Sequence, residues 1–179
     1  SIEEVTFWDP TTGEEVFQLP VENAKMINAG HPIIAFSPDG KRFAIACLNW
    51  KGAIQIRETA SGQLLHTLEG HREQLFSLDF SPDGNRLLSG GRDQMVKIWD
   101  WRSERELLSF KAPNVINSAL FAPDGRKIVA GGWFDNGLLW EAATPEQVTD
   151  WEAEEAAGAV DRVAQRREAI ARGGELHPG

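Results

Sequence analysis

A five-residue phrase recurs three times along this chain at nearly constant spacing. Phe36-Ser37-Pro38-Asp39-Gly40 returns as Phe80-Ser81-Pro82-Asp83-Gly84 and again as Phe121-Ala122-Pro123-Asp124-Gly125, at intervals of 44 and 41 residues. A second phrase recurs with a similar period at residues 5–9, 54–58, 96–100 and 137–141. In it, apolar residues precede a bulky residue, and an acidic residue follows. A period of about 40 to 45 residues with four short strands per copy is typical of a β-propeller.

The third copy shows how one repeat divides into strands. Phe76, Leu78 and Phe80 alternate with more polar residues, which predicts a strand with one apolar face. The Ser-Pro-Asp-Gly phrase that follows predicts a tight turn. Further strands are predicted at 86–90, 95–100 and 106–110. The other copies predict strands at 5–9 and 15–19, at 33–36, 42–47, 53–58 and 63–68, and at 116–121, 127–130 and 137–141.

Together these motifs resemble the WD-repeat β-propeller family, of the bacterial type. The resemblance is carried by Gly70-His71, Ser81-Pro82-Asp83-Gly84, Ser89-Gly90-Gly91 and Val96-Lys97-Ile98-Trp99-Asp100. It covers residues 1–141 and implies an all-β propeller of four-stranded antiparallel blades, about three and a half of them. The blades are expected at residues 1–20 (partial), 31–69, 72–111 and 114–141.

The resemblance also implies a hydrogen-bonded set inside the third repeat, made by His71, Ser89, Asp93 and Trp99. An aspartate can accept from an imidazole N–H, the imidazole can pair with a hydroxyl, and the hydroxyl can accept from an indole N–H. A buried set of this kind is stable only when it is complete. The second repeat has Arg57 and Lys51 at the Trp and Asp positions, and the fourth has Ala112 at the His position, so only the third repeat is expected to hold it.

Composition excludes several function classes. The net charge of −9 over 179 residues argues against a nucleic-acid partner, because phosphate binding needs clustered Lys and Arg. Cys47 is the single cysteine, so there is no intrachain disulfide, and the four histidines lack metal-ligand spacing. No apolar run has membrane-spanning length, and we expect no signal peptide. We therefore expect a cytoplasmic protein without metal, cofactor or membrane association.

The ends of the chain lead to separate expectations. The chain begins within a repeat, so we expect it to be an excerpt or a processed form, with end blades whose apolar faces need a cover. Upstream repeats, self-association of partial rings and a C-terminal cap all remain open. Thr144-Pro145-Glu146-Gln147 predicts a helix start, which gives a C-terminal α-helix at 142–172 and a disordered tail at 173–179. That helix either packs on the propeller rim or docks onto another chain.

One group of residues predicts a binding surface. In the resembled family, the residue before the blade aspartate points out of the upper face, which gives Trp50, Arg92, and Trp133 or Phe134 here. Trp and Arg commonly anchor protein interfaces, although Trp50 and Trp133 could instead fold inward between blades. His71, Asp93 and Ser89 look like a hydrolase triad, but their spacing places them in the blade framework, so no enzyme activity is expected.

The predicted function is a non-catalytic protein–protein interaction scaffold, the C-terminal part of a larger bacterial signalling or effector protein. Its partner would be another protein or another domain of the same chain. The alternative is a self-assembling structural unit in which partial propellers associate between chains as a homo-oligomer. A propeller enzyme with a site at the central channel would need converging ionisable residues, and the sequence shows no such ring.

Overall fold

The computed structural model describes residues 3–21, 33–46, 52–132 and 137–141, and the regular structure in these ranges is entirely β. The strands are β1 (Glu3–Trp8), β2 (Glu15–Val21), β3 (Ile33–Phe36), β4 (Arg42–Ala46), β5 (Ile54–Glu58), β6 (Leu64–Leu68), β7 (Leu75–Phe80), β8 (Arg86–Gly91), β9 (Met95–Asp100), β10 (Arg105–Lys111), β11 (Ser118–Phe121), β12 (Lys127–Gly131) and β13 (Leu138–Glu141). The predicted helix at 142–172 and tail at 173–179 lie outside the described residues.

These strands form four sheets. Within each sheet, strands that are consecutive in the chain pair antiparallel. We call β1–β2 the first sheet, β3–β6 the second, β7–β10 the third and β11–β13 the fourth. The second and third sheets have four strands each, and the described parts of the first and fourth have two and three. The all-β prediction of four-stranded antiparallel blades is therefore confirmed in this part of the chain.

The repeated Ser-Pro-Asp-Gly phrase forms the turn after the first strand of a sheet. In the third sheet the Ser81 hydroxyl accepts the backbone N–H of Arg86 at 2.9 Å and donates to Asp83. Asp83 also accepts the backbone N–H of Asn85, and these donors, led by Ser81, lower the pKa of Asp83 to about 2. Gly84 closes the turn at φ 68°, a conformation that favours glycine. The turn is thus closed locally, which explains why the phrase recurs after β3, β7 and β11.

The phenylalanine of each phrase occupies the same register in successive sheets. It ends the first strand and faces the second residue of the next strand, in the pairs Phe36↔Phe43, Phe80↔Leu87 and Phe121↔Ile128. The copies therefore describe equivalent pieces of structure. Their surroundings differ, since Phe80 is buried between two sheets while Phe36 is exposed.

Apolar side chains hold neighbouring sheets together face to face. One core cluster joins Ile54 and Ile56 of the second sheet to Phe80 and Trp99 of the third. Another joins the third sheet to the fourth through Leu88, Val96, Ile98, Ile116, Ala119, Ile128, Ala130 and Trp140. The strands β8 and β9 are consequently buried on both faces, which explains their nearly continuous apolar runs.

Two side chains of β7 bond to the backbone of β11 and add a polar link between the third and fourth sheets. The buried Ser77 hydroxyl accepts the Ala119 N–H at 2.9 Å and donates to the Ala119 carbonyl at 3.0 Å. Asp79 Oδ2 accepts the Phe121 N–H at 2.7 Å. Burial raises the pKa of Asp79, although the backbone donors of Phe121 and Phe80 oppose the rise. The outer edge of β11, the first strand of the fourth sheet, is thus hydrogen-bonded to side chains of β7 instead of to the backbone of another strand.

Gly90 and Gly131 give a matched test of this stacking, because they face Ser77 and Ser118 at the same register position of two sheets. A Cβ on Gly90 would lie 2.5 Å from Ile116 Cγ2, whereas a Cβ on Gly131 would meet nothing within 4 Å. We expect Gly90→Ala to lower the free energy of unfolding by about 1–3 kcal/mol through overpacking. Gly131→Ala should stay within about 0.5 kcal/mol of wild type. Urea denaturation measures both, and equal effects would contradict the stacking order.

Candidate functional site

The structure brings His71, Ser89, Asp93 and Trp99 together in one hydrogen-bonded set. His71 Nδ1 lies 2.8 Å from Asp93 Oδ2, and His71 Nε2 lies 2.7 Å from Ser89 Oγ. Trp99 Nε1 donates to the same hydroxyl at 2.8 Å. The set therefore connects the segment before β7, strand β8, the β8–β9 turn and strand β9.

Asp93 is the charged end of this set. Burial would raise the pKa of Asp93, but the hydrogen bond and charge of His71 and the backbone N–H groups of Arg72 and Met95 outweigh it and hold the pKa below its ordinary value. The distances from those two N–H groups to the carboxylate are 3.1 and 3.2 Å. The carboxylate is thus kept ionised inside the protein by three donors.

A second charged pair, between the buried Lys97 and the more exposed Glu106, lies beside the set. Lys97 Nζ donates to Glu106 Oε2 at 2.6 Å and lies 5.8 Å from the Trp99 ring centroid. Burial would raise the pKa of Glu106, but its bonds to Lys97 and Ser109 lower it overall. This pair is not among the residues predicted from the sequence. Its one sequence signal was a lysine between the apolar Val96 and Ile98, where a strand buried on both faces has no place for an unpaired charge.

The set is not arranged to perform hydrolysis. The side chain of His71 and the whole of Ser89 have no solvent exposure, so a substrate cannot reach them. The Ser89 hydroxyl is already engaged by both the imidazole and the Trp99 indole. The geometry instead ties two strands and a turn together.

The predicted upper-face residues are only partly described. Arg92 lies in the β8–β9 turn, directly before Asp93, and its side chain is half exposed. Its Nε lies 3.4 Å from Oε2 of Glu73, which belongs to the segment before β7. Trp50, Trp133 and Phe134 lie outside the described residues, so their proximity to Arg92 stays a prediction.

Two other classes of site were searched in the described ranges. No three His, Cys, Asp or Glu side chains gather there in a way that could hold a metal ion. The same ranges contain no helix with the length and apolarity needed to cross a bilayer.

Comparison with known proteins gives a match to one family model and matches to several longer proteins. Residues 62–100 match the family described as WD domain, G-beta repeat. WD repeat-containing protein 18 of Mus musculus is 30% identical over 122 residues, which is 65% of this chain and 28% of that protein. Transcription factor unc-37 of Caenorhabditis elegans is 34% identical over 103 residues, or 58% of this chain and 16% of that protein. Small ribosomal subunit protein RACK1 of Drosophila melanogaster is 27% identical over 88 residues, or 49% and 28%. The chain thus spans at most 28% of the length of these relatives.

The matched segment does not coincide with one sheet. Residues 62–100 begin with β6, which pairs with β5 in the second sheet, and continue through β7, β8 and β9 of the third. One repeat in the sequence therefore links two neighbouring sheets in space, because its first strand completes the preceding sheet.

Proposed function

We propose that this WD40-repeat chain is a non-catalytic protein-interaction scaffold that holds another protein or another domain of its own polypeptide. The observation that carries the proposal is the position of Arg92. Asp93 is held by His71 and by two backbone N–H groups, and the residue directly before it is exposed. A guanidinium presented from a braced turn loses little conformational freedom when a partner binds, which favours its use as an interface anchor.

The relatives support this class of function and no finer one. WD-repeat relatives are typically protein-interaction scaffolds, and the names of the matched proteins range from a transcription factor to a ribosomal subunit protein. A shared fold does not transfer one activity among such proteins. The bacterial signalling or effector context and the cytoplasmic location stay predictions, and the matched relatives named above are animal proteins.

We place the partner on the upper face, where Arg92 would be joined by Trp50 and by Trp133 or Phe134. The support is the residue type and the shared position before the blade aspartate. In the described part of this face, Arg92 is paired with Glu73 across a 3.4 Å gap on the surface. An exposed pair of this kind is weak, so a partner carboxylate could replace Glu73 at little cost.

A second candidate, self-assembly of partial propellers, is favoured by two exposed apolar positions. Trp8 occupies the place of Trp99 in its repeat, yet it is 60% exposed where Trp99 is 1% exposed. Val129 occupies the place of Leu88, and it is 48% exposed where Leu88 is fully buried. The exposed faces that carry Trp8 and Val129 correspond to the faces of the third sheet that neighbouring sheets cover. A second copy of the chain could pack against these exposed faces in the same way.

Photocrosslinking from three positions tests both candidates. A photoreactive residue replaces Arg92 in one variant, Leu120 on the exposed face of the fourth sheet in another, and Arg126 in an exposed turn as the control. The scaffold proposal expects a discrete adduct with a different protein from position 92 and none from position 126. Self-assembly expects an adduct of twice the chain mass from position 120. The same adducts from positions 92 and 126 would contradict a specific upper face.

A further inference from the structure

A cleft of about 500 Å³ opens at the end of the third sheet, where β9 runs into the turn that leads to β10. It is distinct from the β8–β9 turn that carries Arg92, because it lies where β8 begins instead of where it ends. Its lining combines basic, polar and apolar side chains, and we call it the arginine cleft: Asn85, Arg86, Asp100, Arg102, Ser103 and Leu107.

Three arginines surround one carboxylate in this region. Arg86 and Arg105 both pair with Asp100 in the strand register, on either side of β9, so the three side chains share one face of the sheet. The carboxylate is engaged by its own turn: Oδ2 accepts from the Ser103 hydroxyl at 2.7 Å and Oδ1 from the Arg102 N–H at 3.2 Å. These donors, led by Ser103, lower the pKa of Asp100. Within the cleft lining, Arg86 and Arg102 stand against this one carboxylate, which leaves the lining with one net positive charge.

Arg102 is held in place by neutral groups. Its Nη1 donates to Asn85 Oδ1 at 3.1 Å, and its guanidinium lies 4.2 Å from the centroid of the Trp101 ring. Trp101 is itself buried and donates its indole N–H to the Gly84 carbonyl at 3.0 Å. The guanidinium thus lies against a buried ring, and its charge also helps to lower the pKa of the nearby Asp100 carboxylate.

Among the described residues, no carboxylate oxygen lies within 4.0 Å of the side-chain nitrogens of the three arginines: Arg86, Arg102 and Arg105. The acidic side chains of the adjoining turns have other partners. Asp83 accepts from Ser81, and Glu104 lies 3.1 Å from His66 of the second sheet. Three guanidinium groups without a salt bridge on one surface are unexpected in a chain with a net charge of −9. The charge of Arg86 does act on the Asp83 carboxylate, whose pKa it helps to lower.

Two half-exposed leucine side chains of β10 border the charged surface. Leu107 lies at the irregularity of β10, where the register shifts between Glu106 and Leu108, and it is half exposed. Leu108, opposite Ile98, is also half exposed. A ligand that follows β10 would meet guanidinium groups first and leucine side chains next.

We infer that the arginine cleft binds an acidic segment of a partner protein in which an apolar side chain neighbours the carboxylates. The inference rests on the proposed scaffold function and specifies the chemistry of one partner segment. Planar guanidinium groups match carboxylates in two-point hydrogen bonds, and Leu107 covers the neighbouring apolar side chain. A nucleic acid fits less well, since the basic area is small, contains Asp100 and belongs to an acidic protein.

Fluorescence anisotropy with a labelled peptide tests the inference on the full chain. The probe is Glu-Asp-Leu-Glu-Glu-Leu, and the matched control probe replaces each acid with its amide. We expect the acidic probe to bind and to lose affinity as salt rises from about 50 mM to about 300 mM. The double variant Arg86→Gln with Arg102→Gln should bind about tenfold or more weakly. Arg126→Gln, an exposed arginine in the fourth sheet's turn, should leave affinity unchanged.

Three results would overturn the inference: no binding of the acidic probe, equal binding of the amide probe, or equal binding of a labelled single-stranded oligonucleotide. Circular dichroism of each variant verifies its fold, which these exposed side chains should not disturb. The crosslinking from position 92 is independent of the cleft. A partner adduct from position 92 without peptide binding would support the scaffold proposal and contradict the role of the arginine cleft. Peptide binding without an adduct from position 92 would contradict only the proposed binding site on the upper face.

Discussion

Replacing Trp99 with alanine is expected to lower the free energy of unfolding by about 3–5 kcal/mol, the usual cost of deleting a buried tryptophan side chain. Trp99 is 1% exposed and packs between the second and third sheets, so its loss opens a cavity that the two sheets cannot readily close. The change also removes the indole N–H from the Ser89 hydroxyl. Urea denaturation followed by circular dichroism would measure the loss.

Trp8→Ala is the matched control for this prediction. Trp8 holds the same position in the sequence phrase of its own repeat, but it is largely exposed. Its replacement should change the free energy of unfolding by less than about 1 kcal/mol. If Trp8 and Trp99 proved equally costly to remove, the position of Trp99 between two sheets would be wrong.

Replacing His71 with leucine is expected to cost about 3 kcal/mol or more at neutral pH, because it leaves the buried Asp93 carboxylate without its main partner. The loss should also depend on pH. In wild type the pKa of Asp93 is lowered, so its stabilising contribution is present above the unfolded-state value near 3.8 and is lost as pH falls through the folded value. In the variant, His71 no longer offsets the rise that burial causes in the pKa of Asp93. The difference between the two proteins should therefore shrink as pH falls below about 4.

His66→Leu provides the comparison, because His66 also pairs with a carboxylate. His66 Nδ1 lies 3.1 Å from Glu104 Oε1, but both side chains are accessible to solvent. Its replacement should cost less than about 1 kcal/mol, as for other surface pairs. A His71 variant that behaved like the His66 variant, or one whose deficit stayed constant down to pH 3, would show that the His71–Asp93 pair is not a buried structural contact.

Much of the fold could be predicted from spacing alone. The Ser-Pro-Asp-Gly turns close through their own side chains, so the same letters form the same turn wherever they occur, as the bonds of Ser81 and Asp83 show. Alternating apolar residues identified the strands to within one or two positions, and β11, which begins at Ser118 instead of Ile116, shows one such difference. Ile116 is buried against Gly90 before the strand starts, so its burial does not come from strand pairing.

Less of the candidate site could be predicted. His71, Ser89, Asp93 and Trp99 were identifiable because each keeps a set distance from a recognisable phrase. The arginine cleft was not, since Arg86, Arg102 and Arg105 carry no motif and become neighbours only through the pairing of β8, β9 and β10. The Lys97–Glu106 pair is of the same kind, because its two members come from adjacent strands.

The sequence by itself determined the repeat, the strands and the turns, because these depend on interactions between residues a few positions apart. Only the tertiary structure decided which strand completes which sheet, which of two similar tryptophans is buried, and which charges remain unpaired. Trp8 and Trp99 hold the same position in their copies of the phrase, and no local property separates them. The difference arises because another sheet lies against Trp99, and burial depends on such distant neighbours rather than on the local residue pattern.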